Sequence, residues 1–138
     1  MAKKMCIGLF SGSVDKLTAA GVIMSGAAAE DMDIDVVVLL MGAHAFIKGN
    51  EDKVKEVAEL PQLKDEFLRQ LKVLNVSTWK EFFEQAKEFT NVNIYICSLA
   101  GKIWGGEKKE DFIDLVDDIV GIGEYIDLAQ NADIHLFI

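Results

Sequence analysis

Three apolar runs, Met5 to Phe10, Ile34 to Met41 and Val92 to Cys97, restrict the possible folds more than any other feature of the chain. The second, IDVVVLLM, is continuous and β-branched, as expected of a strand covered on both faces. Ser11-Gly12-Ser13 turns the chain out of the first run, Gly42 ends the second, and Cys97 opens a stretch of small residues after the third. A weaker strand is predicted over Ile119 to Ile122 and a final strand over Ile134 to Ile138. A helix capped by Ser13 or Asp15 runs to about Glu30, with Leu17, Ala20, Gly21, Met24 and Ala28 at helical spacing. Residues 43–90 are helical by pattern with a break near Pro61. Leu63, Phe67, Leu71 and Leu74 share one face there, and Thr78 with Glu81 forms a capping box for a helix carrying Phe82, Phe83, Ala86 and Phe89. Short helices are expected over Asp111 to Asp118 and Glu124 to Asn131. Strands alternating with helices predict an α/β fold whose sheet is mostly parallel and covered on both faces.

A chain of 138 residues without linker, repeat or low-complexity segment is expected to form one domain over 1–138. Its hydrophobic share of 51% is slightly high, which points to subunit contacts and a homo-oligomer. The net charge of −9, with no basic stripe, speaks against nucleic acid as a partner. Cys6, Cys97 and two distant histidines give neither a disulfide scaffold nor metal-ligand spacing, so no metal or cofactor is expected and a reducing, cytoplasmic setting fits. MAKKMCIGLF with the later Ala27 to Ala29 imitates a secretory signal, but Asp15 and Lys16 interrupt it. No run approaches the roughly 18–20 apolar residues that span a bilayer, so no membrane is expected.

In a parallel sheet, reactive groups gather outside the carboxyl ends of the strands. That edge should bring together Ser11 to Ser13, Gly42 to His44 and Cys97 to Ala100. If Ser98 to Ile103 begins a helix, the Cys97 thiol faces backbone N–H groups that favour a thiolate. Lowering a cysteine from about 8.5 to about 7 takes roughly 2 kcal/mol, against about 0.3–1 from an ordinary helix terminus and up to about 2 from a partly buried one. Lys102, or a hydroxyl from Ser98 or the Ser11 loop, could contribute. Position alone therefore favours an inert Cys97. Cys6, inside its strand, reads as core, and its different depth argues against pairing with Cys97. His44 could serve as acid, base or donor beside a thiolate, or simply be solvated. His135, between Ile134 and Leu136, reads as structural. The Ser11-Gly12-Ser13 turn could hold an anion, although it matches neither G-x-G-x-x-G nor a Walker pattern. Met41, Phe46 and Trp104 could wall a small apolar pocket or be plain packing, and Glu107 to Glu110 is a solvated charge run.

The order of these segments resembles the DsrE/DsrF-like family of small sulfur-relay proteins, in the DsrE-like branch often labelled peroxiredoxin-like. LFSGSVDKLTAAGVIMSGAAAEDMDIDVVVLLMG is similar to that branch's first strand, turn, Ala-rich helix and second strand. ICSLAGKIWGGEKKEDF is similar to its cysteine loop, and VGIGEYIDLAQNADIHLFI to its closing segment. The resemblance implies a three-layer α/β/α fold with a five-stranded parallel sheet, trimers or hexamers, and a cysteine after the third strand, here Cys97, that carries sulfur as a persulfide or bound thiosulfate. Where the branch commonly has a hydroxyl-bearing, Met-rich stretch, this chain has Ser98, Leu99, Ala100, Gly101 and Lys102. It also lacks a second cysteine in that loop. A one-cysteine carrier exchanging sulfur with a donor or acceptor protein, or with thiosulfate or polysulfide, is implied. No peroxidatic motif is present, so peroxidase activity is not expected.

Two other classes compete. One is a small-ligand or nucleotide-binding module using Ser11, Gly12, Ser13, Gly42, His44 and Trp104, with Cys97 a bystander. The other is a scaffold whose apolar excess is all interface.

Overall fold

The computed structural model describes residues 2–138. Five strands, β1 (Lys4–Leu9), β2 (Asp33–Val38), β3 (Val92–Cys97), β4 (Asp118–Val120) and β5 (Ile134–Phe137), form one sheet in the order β4-β3-β2-β1-β5. Every neighbouring pair is parallel. Six α-helices connect them: α1 (Val14–Ala29), α2 (Gly42–Phe46), α3 (Lys64–Val73), α4 (Trp79–Phe89), α5 (Ser98–Ile103) and α6 (Ile122–Gln130). The three steps from β1 to β4 run in one direction across the sheet, so right-handed crossovers put α1 and α4 on the same face, where they pack together. The return from β4 to β5 puts α6 on the other face. The result is the three-layer α/β/α architecture expected from the sequence.

Burial follows the β-branched pattern. Val36, Val37 and Val38 are fully buried, as are Ile7, Leu9, Ile94 and Ile96 on the neighbouring strands. Met24 and Leu17 of α1 and Phe83 of α4 close the core from the helical face. The capping box at α4 is present: Thr78 Oγ1 accepts from the Glu81 N–H at 3.2 Å, and the Glu81 carboxylate accepts from the Thr78 N–H at 2.9 Å.

Four local expectations need correction. The second strand stops at Val38, not Met41, because Leu40 takes a left-handed φ of 30° and the Gly42 N–H closes a turn on the Leu39 carbonyl at 2.9 Å. Residues 111–118 are not a helix. Asp111 accepts the N–H groups of Glu107 and Lys108, ending a 3₁₀ turn at Lys109–Asp111, and Phe112, Ile113, Leu115 and Val116 are then buried at nearly successive positions that one helical face cannot supply. Residues 54–60 are irregular. Finally, the apolar face of α3 reaches no core: no residue of that helix is fully buried, and Leu63 and Leu74 beside it are exposed.

Candidate functional site

The carboxyl edge of the sheet is drawn tight by backbone contacts. The Gly42 N–H donates to the Phe10 carbonyl at 2.8 Å, and the Phe10 N–H to the Ile138 carbonyl at 2.7 Å. A Cβ on Gly12 would stand 2.5 Å from the Met41 oxygen, and one on Gly42 would stand 2.6 Å from the Leu9 oxygen. Only glycines allow the two loops to cross this closely. Gly42 is therefore buried support beneath the edge rather than a ligand-facing group.

Above these loops lies an open cleft of about 520 Å³. Phe10, Ser11, Gly12 and Ser13 form one wall, Met41, His44 and Trp104 another. Trp104 donates its indole N–H to the Leu40 carbonyl at 2.9 Å and meets the His44 ring edge-on, with centroids 4.7 Å apart. Phe46 does not join this wall. It is fully buried against Trp79 and Phe83, at centroid distances of 5.2 and 6.0 Å.

The third wall, Lys53, Lys55 and Glu56, comes from a segment that the sequence pattern assigned to helix. Residues 54–60 are strapped to the start of α1. The Val14 N–H donates to the Glu56 carbonyl at 2.8 Å, and the Asp15 carboxylate accepts the N–H groups of Ala58 and Glu59, each at 3.0 Å. Burial works to raise the Asp15 pKa, but the N–H groups of Glu59 and Ala58 outweigh it and hold the carboxyl below its ordinary value. Asp15 thus ties down the strap and does not cap the helix. Ser13 occupies the cap position without a capping hydrogen bond. Its buried Oγ makes no well-formed hydrogen bond, although it lies near enough to the Asp15 carboxylate to help keep it ionised. The signals for the strap were Val54 and Val57, weak helix formers between Gly49 and Pro61.

Cys97 is the last residue of β3 and the N-cap residue of α5, with φ −62° and ψ 128°. It is a free thiol, 6% exposed, and it does not line the cleft. Its side chain takes no capping hydrogen bond. Ser98 follows it half-buried, whereas Lys102 sits exposed in the last turn of α5, about 7 Å further along the helix axis. Neither Ser98 nor Lys102 lines the cleft. What joins thiol and cleft is α5 itself, with Cys97 at one end and Trp104 at the other.

Cys6 lies elsewhere. It pairs in register with Asp35 and His135, four residues shallower in the sheet than Cys97, or about 13 Å along the strands. The two thiols cannot reach each other for a disulfide. Burial, and then the Asp35 carboxylate, push the Cys6 thiol up to about 11. His135 meets the Tyr125 hydroxyl at 2.6 Å, which suits its structural reading.

Residues 59–137, which include the third strand, its terminal cysteine and the closing segment, match the family model described as DsrE/DsrF/DrsH-like. The chain belongs to the DsrE/DsrF/DrsH-like family. The chain is also similar to YrkE, an uncharacterized protein of Bacillus subtilis (strain 168). It is 28% identical over 160 aligned positions, which cover 99% of this chain and 97% of that protein. Membership in the DsrE/DsrF/DrsH-like family agrees with the parallel five-stranded sheet. Among the described residues no group of three His, Cys, Asp or Glu side chains could hold a metal ion, and no helix is long and apolar enough to cross a membrane.

Proposed function

We propose that the protein carries sulfur on Cys97 and passes it to the thiol of a partner protein. The observation that carries this reading is the place of Cys97: the one cysteine at the carboxyl edge of a DsrE/DsrF/DrsH-like sheet, at the start of a short helix. The Cys97 thiolate attacks the outer sulfur of thiosulfate, the S–S bond breaks, sulfite leaves with the electron pair, and Cys97 becomes a persulfide. A partner thiolate then attacks the outer sulfur of that persulfide and releases the Cys97 thiolate. No net oxidant is consumed in either exchange. Because Cys97 is nearly covered, loading requires α5 to lift at its Trp104 end. In this reading residues 1–138 act as one cytoplasmic domain in a trimer or hexamer. Exposed Leu74, Phe89 and Phe137 supply apolar surface for such contacts.

Intact-mass measurement after incubation with thiosulfate or polysulfide tests the proposal. Wild type and Cys6→Ser should gain sulfur that a reductant removes, and Cys97→Ser should gain none. An unmodified wild type, or equal addition to Cys97→Ser, overturns it. The cleft beside Ser11 favours a second reading, a ligand-binding module, because its walls exclude Cys97. A small molecule retained equally by wild type and Cys97→Ser would select that alternative.

A further inference from the structure

The two edges of the sheet are built differently. β4, at one edge, is three residues long and opens on Asp118 with Asp117 before it, the short, charged form that discourages pairing with another chain. β5, at the other, has no such guard. Its sequence, Ile-His-Leu-Phe, holds no proline, lysine or acid, and among the described residues no strand pairs with its outer side. Ile138 turns both backbone groups inward, its N–H to the Gly8 carbonyl at 2.8 Å and its carbonyl to the Phe10 N–H at 2.7 Å. Alternation along the strand then points the N–H and carbonyl groups of His135 and Phe137 away from the sheet. The side chains here are apolar as well. Ile134 is 41% exposed and Phe137 62%, and Phe10, 37% exposed, stands beside Phe137 with ring centroids 6.0 Å apart. Helix α6 adds Ile122 and Ile126, 54% and 55% exposed and one turn apart. The neighbours of α6 fix which way these two face: the Tyr125 hydroxyl lies against Gly8 and His135, whereas the Glu124 carboxylate acts on Tyr95 of β3. At about 100° per residue, Ile122 and Ile126 flank Tyr125 on the opposite side from Glu124, toward the free edge of β5. Taking about 200 Å² for a large side chain, the five residues leave roughly 500 Å² of apolar surface; a standard interface takes about 800 Å² per partner, and the outward strand backbone supplies part of the rest.

We propose that β5 pairs antiparallel with β5 of a second copy, joining two five-stranded sheets into one of ten strands about a twofold axis. A twofold contact must suit the same surface on both sides, and this edge does. Each strand offers the other its outward N–H and carbonyl groups. With strands about 4.8 Å apart, α6 above β1 and β5 comes within about 10–14 Å of its twin, a gap that facing isoleucines fill. An extended peptide from another protein would satisfy the backbone but leave Ile122 and Ile126 bare. The acids nearby do not oppose the contact. Asp133 already accepts the Lys4 N–H at 2.8 Å, and antiparallel pairing sets the two Asp133 side chains at opposite ends of the joint; Asp127 lies opposite Tyr125 on α6, away from the sheet. A trimer has no twofold axis, whereas a hexamer of three pairs does, so the contact distinguishes the two assemblies considered above. It involves no atom of Cys97 and does not depend on sulfur loading.

Light scattering after size exclusion, together with amide hydrogen exchange, tests the pairing on the full chain. Wild type should be an even-numbered particle in which the His135 and Phe137 amides, unbonded within the chain, exchange about tenfold or more slowly than in the dissociated protein. Ile126→Glu, at an exposed position, should raise the dissociation constant about tenfold or more and restore fast exchange at both amides. Phe137→Pro removes an outward N–H and the ring while sparing the bonds to β1, and should split the pair outright. If Phe137→Pro fails to fold, Ile126→Glu decides the matter. Cys97→Ser should match wild type in size and exchange, which separates this result from that of the sulfur assay. A monomeric or three-membered wild type, fast exchange at both amides in the wild-type particle, or an unchanged assembly in Ile126→Glu would each overturn the proposal.

Discussion

The middle of the sheet and its carboxyl edge hold one cysteine each, and the two differ in almost everything but chemistry. Cys6 sits between Asp35 and His135 in an unbroken ladder, sealed on every side, with its thiol pushed up to about 11. Cys97 is covered almost as well, but it closes its strand and opens the six-residue α5, beyond whose far end Trp104 is tied to the Leu40 carbonyl and the His44 ring. In the sulfur-carrier reading, burial alone does not separate the inert thiol from the working one; what separates them is how much structure must move to reach the sulfur.

Four measurements test that contrast. With a pKa of about 11, roughly one Cys6 in a thousand is a thiolate at pH 8, so iodoacetamide should label Cys97 in the native protein and leave Cys6 untouched. Peptide mapping that found Cys6 labelled first would reverse the comparison. Gly42→Ala, whose new methyl meets the Leu9 and Ser11 carbonyl oxygens at 2.6 and 3.2 Å, should cost about 1–3 kcal/mol in denaturant unfolding. A neutral result would mean that the edge is looser than its contacts imply. Trp104→Ala removes the hydrogen bond to Leu40 and the contact with His44, together about 1–2 kcal/mol, and should speed Cys97 alkylation about tenfold without changing Cys6. An unchanged rate would show that α5 is not the gate. Asp15→Asn should lower the melting temperature by only about 2 °C at neutral pH. Because the folded carboxyl titrates below its ordinary value, its contribution is present above about pH 4, is lost as pH falls through the lower folded value, and should vanish between variant and wild type in strong acid. A difference that grew in acid would exclude this role.

How far the sequence alone could go is visible in the same two regions. The strands were legible because burial on both faces leaves β-branched residues at consecutive positions, and the helix at Trp79–Phe89 because its capping box is written in Thr78 and Glu81, three residues apart. The end of β3 at Cys97 fell where the apolar run ends. The strap at residues 54–60 left only a faint trace in Val54 and Val57, and its anchor none, since what holds it is a carboxylate 43 residues earlier. Nor was the link from Trp104 to the Leu40 carbonyl, which depends on a backbone turn rather than on any side-chain pattern. Helix α3 misled in the opposite direction: the shared face of Leu63, Phe67, Leu71 and Leu74 packs onto no core.

The strand order has a consequence for how the protein is made. β1 is the second strand from one edge, and its outer neighbour is β5, joined through pairs such as Ile7 with Leu136 and through the Lys4 N–H on the Asp133 carboxylate. On the ribosome, the strand synthesised first waits for the one synthesised last. Until residues 134–137 emerge, the outer edge of β1 offers a row of unpaired amides to any neighbouring chain. Chains halted or clipped before that point should aggregate, whatever the state of their cysteines.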